Sequence, residues 1–394
     1  MEMTNKRLVG VCFYSVILYG MFFVIYSPLL PSIAQTFDLS LSQAGVIFTV
    51  SFTGYLIITL LSGFFSDKYG KKLAIAINLL GSAIALFIIG FISEFSVLLI
   101  CMFFAGGCSG SLEAVVSAYL VDLNPKKEAF FVNAAQIFFG LGAIIAPILV
   151  GWALTAGISW MHCYLALSFL FLICLIVLFT TKVKTVQSSD KVQLKQIKTI
   201  LSSRKVRLLC VCMLCYSGSE TSTMGWLGTY LQSDAGFSTM FSSLAISALY
   251  LFMVAGRVGC LGALKKIDER KIVIFLAFST VIGVIVSAFA QNEFLIWVGL
   301  GITGIGYSAQ WPLILAYGLK DWPGYSGTVA SLMIMGTTVG MIIMPALAGF
   351  LGDLFGLRIT MAFPAIALTT IALIFINLLM THDGDRGTGE NTAT

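Results

Sequence analysis

Long apolar runs separated by short polar breaks dominate the chain from one end to the other. They fall at residues 8–33, 43–65, 73–93, 96–121, 129–154, 160–181, 206–232, 241–264, 271–290, 293–319, 325–351 and 357–380. Each is as long as the roughly 20 residues that a helix needs to cross a bilayer core about 30 Å thick. Helices satisfy their own backbone polar groups, which lipid cannot do. The pattern therefore predicts an all-α membrane protein with twelve transmembrane helices in two six-helix bundles. Residues 1–181 form the N-terminal bundle, 182–205 a cytoplasmic linker, 206–381 the C-terminal bundle, and 382–394, the polar THDGDRGTGENTAT less its first residue, a disordered cytoplasmic tail.

Charge supports this parse. Only 10% of residues are charged and 58% are hydrophobic, with a mean hydropathy of +0.98, against about a quarter charged in soluble domains. A soluble enzyme is excluded. With the N-terminus inside, all of the 23 Lys and Arg fall in or next to cytoplasmic segments except Arg358, as the positive-inside rule requires when count and register are right. The expected location is the cell membrane, an inner membrane in a bacterium, with multiple passes and both termini cytoplasmic. The net charge of +5 then reflects topology and anionic lipid rather than nucleic acid. The linker is basic and weakly amphipathic around Val192, Leu194, Ile197, Ile200 and Leu201, which suits a surface helix or a regulatory segment. The first apolar run is too long for a cleaved signal and is retained as a span. The nine cysteines lie within apolar runs and His162 and His382 are far apart, so neither a disulfide framework nor a metal site is expected. No GxxxxGK[ST] loop is present, ATP is not the driving force, and no cofactor is expected.

Of the 18 acids, only Glu113 and Glu220 fall inside spans and away from their ends. An ionised carboxylate at that depth faces an aqueous cavity, is paired, or is protonated. No Lys or Arg is expected at comparable depth. Each acid is a candidate proton-coupling group, protonated in one access state and released in the other. For Glu113 the alternatives are a permanently protonated acid bonded to Ser111 or Ser117, or substrate binding without proton traffic. Tyr216, Glu220, Thr223, Leu227 and Tyr230 recur at helical spacing, with Trp226 on a neighbouring face. Rings beside carboxylates and amides suit sugars, covering C–H faces and pairing hydroxyls. Asn133 and Gln136 share a helix face, and Gln310 with Trp311, beside Pro312, repeats the theme in the second half. Helix–helix hydrogen bonding is the other reading of these amides. Pro28, Pro31, Pro147 and Pro312 are candidate bending points.

Two six-helix halves are what a transporter with internal repeats presents in sequence. The loop GFFSDKYGKKLA, with Gly63, Asp67, Gly70, Lys71 and Lys72, resembles the segment between spans 2 and 3 of the major facilitator superfamily. The second half keeps Gly256, Arg257 and Gly259 in GRVGCLGALKKIDERK but lacks the aspartate. The resemblance implies the major facilitator fold and a cytoplasmic gate made by these residues, in which Asp67 pairs with a cation or caps a helix. Three further segments, GSLEAVVSAYLVDLNPKKEAFFVNAAQIFFGLGAIIAPILVG, YSGSETSTMGWLGTYL and GIGYSAQWPLILA, resemble the fucose/galactose/glucose:proton symporters. That resemblance implies protonation and sugar binding at Glu113, with Asn133 and Gln136 facing the sugar. Fucose-transporting members carry an aspartate just before LLP, whereas IYSPLLP here has Ser27 at that place. The expected activity is uptake of a monosaccharide or similar small polar solute with a proton, or with sodium, by a monomer working through alternating access. The rivals are a proton-driven exporter of drug-like or amphipathic compounds and, further off, a membrane sensor or scaffold.

Overall fold

The computed structural model of the chain describes residues 3–123, 128–181, 200, 202–290, 292–322 and 325–389, and every regular element in it is a helix. The first-half helices are α1 (Met3–Phe37), α2 (Leu41–Tyr69), α3 (Lys71–Ile89), α4 (Phe95–Leu123), α5 (Glu128–Thr155) and α6 (Trp160–Thr180). They are followed by α7 (Arg204–Ser233), α8 (Thr239–Ala263), α9 (Glu269–Phe289), α10 (Glu293–Tyr307), α11 (Gln310–Leu319), α12 (Ser326–Phe355), α13 (Leu357–Ala362) and α14 (Pro364–Gly389). Lys126 and Lys127, most of the 182–205 linker and residues 390–394 lie outside the described residues. The backbone of α14 continues to Gly389, through most of the stretch read as a tail.

Helix ends are set by local chemistry. Ser40 caps α2 through a reciprocal pair with Gln43, its hydroxyl accepting from the Gln43 N–H while the Gln43 side chain accepts from the Ser40 N–H. Asp268 caps α9 and Asn292 caps α10. Gly70 takes φ +95° between α2 and α3, a conformation that L side chains rarely adopt, so one residue suffices to turn the chain.

Two predicted spans are interrupted. The span expected over 293–319 is α10 and α11, separated at Ser308 and Ala309, where Ala309 has φ −127° and ψ 1°. The span expected over 357–380 is α13 and α14, separated at Phe363. In each case a proline, Pro312 or Pro364, lies shortly after the break and lacks the N–H that would continue the ladder. Ten spans among the described residues are long and apolar enough to cross a membrane, Leu357–Met380 being one of them across its break. The two predicted spans outside that set are α7, which carries Ser217, Ser219, Glu220, Thr221, Ser222 and Thr223, and the broken α10–α11. Local sequence rules give way where polar chemistry is installed.

The described chain forms two compact units, one of Met1–Lys191 with Met224–Ser247 and one of Val192–Thr223 with Ala248–Thr394. In the first, α1 packs on α5, α4 and α6, and α2 on α4. The α2–α4 crossing is close because Gly54 lies against the Phe103 carbonyl and Gly106 against Ser51, where a Cβ would collide. In the second, α9 packs on α10, α13 and α14. Large apolar side chains such as Phe64 (75% exposed) and Phe294 (73%) point outward. Such an exterior is what lipid, and not water, selects.

Candidate functional site

The first unit holds a carboxylate site. Glu113 on α4 accepts a hydrogen bond from Gln136 Nε2 on α5 at 3.0 Å and another from the Tyr19 hydroxyl on α1. Three helices thus meet on one acid. Tyr55 on α2 also lies within its electrostatic reach. Tyr19 and Tyr55 are at the same time walls of a small pocket, completed by Phe22, Phe23, Tyr26, Ser51, Phe52 and Gly106. Of the two serines named as alternative partners of Glu113, Ser111 is otherwise engaged: it donates to the Gly107 carbonyl and lies 3.1 Å from Thr59 Oγ1. Asn133 is one turn before Gln136 on α5 and is exposed.

The C-terminal third of α7, from Met224, belongs to this unit as well. Ser27 donates to the Met224 carbonyl at 2.5 Å, and Gly228 lies against the Ser27 carbonyl. Trp226 is fully buried and tilted against Phe48, with ring centroids 5.8 Å apart. It falls in the other compact unit from Tyr216 and Glu220, with which the sequence grouped it.

The second unit holds a polar cluster around the break in the tenth span. Pro312 has no N–H for the Ser308 carbonyl four residues earlier, and Arg257 Nε on α8 donates to that carbonyl at 3.0 Å. The Tyr216 hydroxyl donates to the Tyr307 carbonyl at 2.8 Å, and Gln310 Nε2 donates to the Gly306 carbonyl at 2.9 Å and to Thr280 Oγ1 at 3.0 Å. Three successive carbonyls at the end of α10 therefore take side-chain donors from three helices. Thr223 Oγ1 lies 3.0 Å from the Tyr307 hydroxyl. Glu220, half-buried, lies beside the Tyr216 hydroxyl and in the field of Arg257. Trp311 follows the break, with its Nε1 3.4 Å from Thr337 Oγ1.

No Lys or Arg was expected at the depth of the embedded acids, and among the described residues none forms an ion pair with Glu113 or Glu220, although the charge of Arg257 acts on Glu220. Arg257 was placed by its position near the helix end, but a helical side chain leans toward the N-terminal turn, here toward the middle of α8. The Nε of Arg257 is thereby brought to the Ser308 carbonyl, and its charge acts on Glu220 without an ion pair among the described residues. Tyr19, Tyr55 and Tyr307 were missed because a tyrosine in an apolar run looks like packing. The proline four residues after Ser308 was the legible signal for the orphaned carbonyl.

The loop between α2 and α3 acts within its own unit. Lys71 is buried and pairs with Asp122 at the end of α4, also donating to the Ala118 carbonyl at 3.3 Å. Lys72 donates to the Thr181 carbonyl just beyond α6 at 2.6 Å. Asp67, expected to pair or cap, is exposed and in no ion pair among the described residues. Gly63 has open space where a Cβ would project.

Comparison with known proteins adds the family. The profile described as Major Facilitator Superfamily matches residues 12–333 and 260–393. The chain is 24% identical over 365 residues to the L-fucose-proton symporter of Escherichia coli (strain K12), covering 83% of each. It is 24% identical over 361 residues to a glucose/galactose transporter of Brucella abortus, covering 87% of each. With the sodium-dependent glucose transporter 1 of Xenopus laevis it shares 22% over 390 residues, covering 90% of this chain and 78% of that one. Among solved structures, a bacterial homologue of the human lysosomal transporter Spinster superposes with a TM-score of 0.83 at 12% identity, over 95% of this chain and 97% of that one. The E. coli fucose:proton symporter gives 0.62 at 22% identity, over 93% and 97%. These likenesses show the fold.

Proposed function

Because the chain belongs to the Major Facilitator Superfamily, we propose that it is a secondary active transporter taking up a monosaccharide or similar small polar solute with a proton, by alternating access. The observation that carries this reading is Glu113, held by Gln136 and Tyr19 beside a cavity walled by tyrosine and phenylalanine. Rings can cover the C–H face of a pyranose while the carboxylate, amide and phenol take its hydroxyls. Glu113 both receives the proton and binds the solute, with Gln136, Tyr19 and Asn133 as partners. In the second unit, Glu220, Tyr216, Gln310 and Trp311 are the proposed substrate-binding residues. Trp226 supports the α7 segment rather than touching the solute. The curated relatives in the comparison that carry fucose, glucose or galactose favour a sugar.

A proton suits the site better than sodium. Backbone carbonyls freed by a broken span are the ligands a sodium ion would use, and here those at Gly306, Tyr307 and Ser308 already bind side-chain donors. The test is uptake of radiolabelled fucose, glucose and galactose into proteoliposomes under an imposed pH gradient or an imposed sodium gradient. Accumulation driven by the pH gradient supports the reading. Accumulation driven only by sodium refutes the proton, and outward movement of amphipathic dyes without sugar uptake refutes the sugar.

A further inference from the structure

One wall of the pocket beside Glu113 is held in place by a missing side chain. Tyr55 on α2 lines that pocket together with Tyr19 and Tyr26 of α1. Its ring rests on bare backbone, because a Cβ at Gly110 on α4 would collide with the ring atoms Cδ2 and Cε2. Gly110 lies three residues before Glu113 and so on the same face of the helix. Neighbouring contacts fix the two helices around this seat. Gly106 lies against Ser51, and Thr59 Oγ1 is 3.1 Å from Ser111 Oγ. Glu113 is held by Gln136 and Tyr19, so Tyr55 is not needed to hold the acid.

We propose that Tyr55 is a specificity-determining residue of the solute site, that Gly110 is the residue that positions it, and that the part of the solute it selects is the group on C5 of a pyranose. The polar groups of the site converge on Glu113 and take ring hydroxyls. The pocket beside them is walled by the rings of Tyr19, Phe22, Phe23, Tyr26, Phe52 and Tyr55, with Ser51 its one aliphatic hydroxyl. A hydroxyl buried there without a partner is costly, and the C5 edge of a pyranose carries the fewest hydroxyls. That edge therefore enters the pocket, and the position of the Tyr55 ring sets how large its substituent can be.

A methyl on residue 110 would lift the ring off α4 by about an ångström or more, since carbon atoms rest roughly 3.5–4.0 Å apart. The ring then intrudes on the space that it walls. Leucine in place of Tyr55 does the reverse and leaves more room.

This inference rests on the transport reading and names what that site selects. The test is exchange of radiolabelled sugars by purified full-length protein in proteoliposomes, with two sets of probes: D-galactose, its 6-deoxy form and L-arabinose, and D-glucose, its 6-deoxy form and D-xylose. Within each set the ring hydroxyls are alike and only the C5 group changes, from hydroxymethyl to methyl to hydrogen. The quantity read is the half-maximal concentration for the hydroxymethyl sugar divided by that for the hydrogen sugar. Tyr55→Leu is expected to lower this ratio about ten-fold or more, the scale on which one carbon in an apolar pocket is discriminated. Gly110→Ala is expected to raise it by as much, and Gly110→Ala with Tyr55→Leu to return it toward the native value. A purely structural role would scale the sugars of a set together and leave the ratio alone. An unchanged ratio in Tyr55→Leu overturns the proposal whether or not Gly110→Ala folds, and a double variant that keeps the Gly110→Ala ratio overturns the seat. A native protein that exchanges none of these sugars overturns the sugar reading and this inference with it, whereas native exchange with a ratio unmoved by Tyr55→Leu overturns this inference alone.

Discussion

Replacing Lys71 with methionine tests whether the loop between α2 and α3 works as a brace within the first half. The Lys71 side chain is 8% exposed and its partner Asp122 17%, so both charges are largely removed from water. Methionine keeps much of the stem's volume, leaving loss of the ammonium as the main change. Breaking a well-buried pair costs about 3–5 kcal/mol because one charge is left alone, and Asp122's partial access to water lowers this to about 2–3 kcal/mol. At about 2–4 °C per kcal/mol for a unit of this size, the melting temperature should fall by about 4–12 °C. The assay is thermal unfolding of purified protein in detergent. Lys71→Met combined with Asp122→Asn should regain much of the loss, because no bare carboxylate remains. By contrast Asp67→Asn, at an exposed residue with no ion pair among the described residues, should stay within about 0.5 kcal/mol of the native protein. A Lys71→Met protein that melts with the native one would refute the brace, as would a double variant no more stable than the single.

Two further expectations concern other places in the fold. Gln136→Leu removes a donor to Glu113; a hydrogen bond to a charged group is worth about 1.5–3 kcal/mol, so the sugar concentration for half-maximal exchange should rise roughly ten- to hundred-fold, and an unchanged value would remove Gln136 from the site. Asp268 caps α9 and pairs with Arg270, whose hydrogen bonds hold its carboxyl down to about 2 despite partial desolvation. A lowered folded-state pKa means that its contribution is complete above the ordinary carboxylate range and is lost as pH falls through about 2. Asp268→Ala should therefore cost about 1 kcal/mol at neutral pH and show a smaller loss of thermal stability on acidification than the native protein; an equal loss would assign the acid sensitivity elsewhere.

Much of this fold was legible because a bilayer imposes a single rule on composition. Apolar runs marked the helices, and the predicted ends fall within a few residues of those observed, as with 96–121 against Phe95–Leu123. The breaks were not legible from hydropathy, since Ser308 and Ala309 are too small to interrupt an apolar average. They follow instead from Pro312 and from donors far away in sequence. The same distinction runs through the site. Glu113 and Glu220 stood out because a carboxylate in lipid demands an explanation, and the spacing of Asn133 and Gln136 placed them on one face. That Gln136 reaches Glu113 while Asn133 lies exposed depends on how α4 and α5 are turned about their axes, which Gly54, Gly106 and the aromatic packing decide. Arg257 was placed by its Cα, and its guanidinium acts a turn away. Trp226, grouped with Glu220 by proximity in sequence, packs in the other unit because α7 runs from one unit into the other after Thr223.

The account rests on Glu113 as the group that couples solute to proton, without the span 1 carboxylate that its resemblance to fucose transporters implies, since Ser27 is engaged with the Met224 carbonyl. The direct measurement compares native protein and Glu113→Gln in proteoliposomes, for sugar exchange at equal pH and for accumulation driven by a pH gradient. The account predicts that the glutamine variant retains measurable exchange, because its amide can still bond hydroxyls, and loses accumulation. Accumulation surviving at the native rate in Glu113→Gln would contradict it.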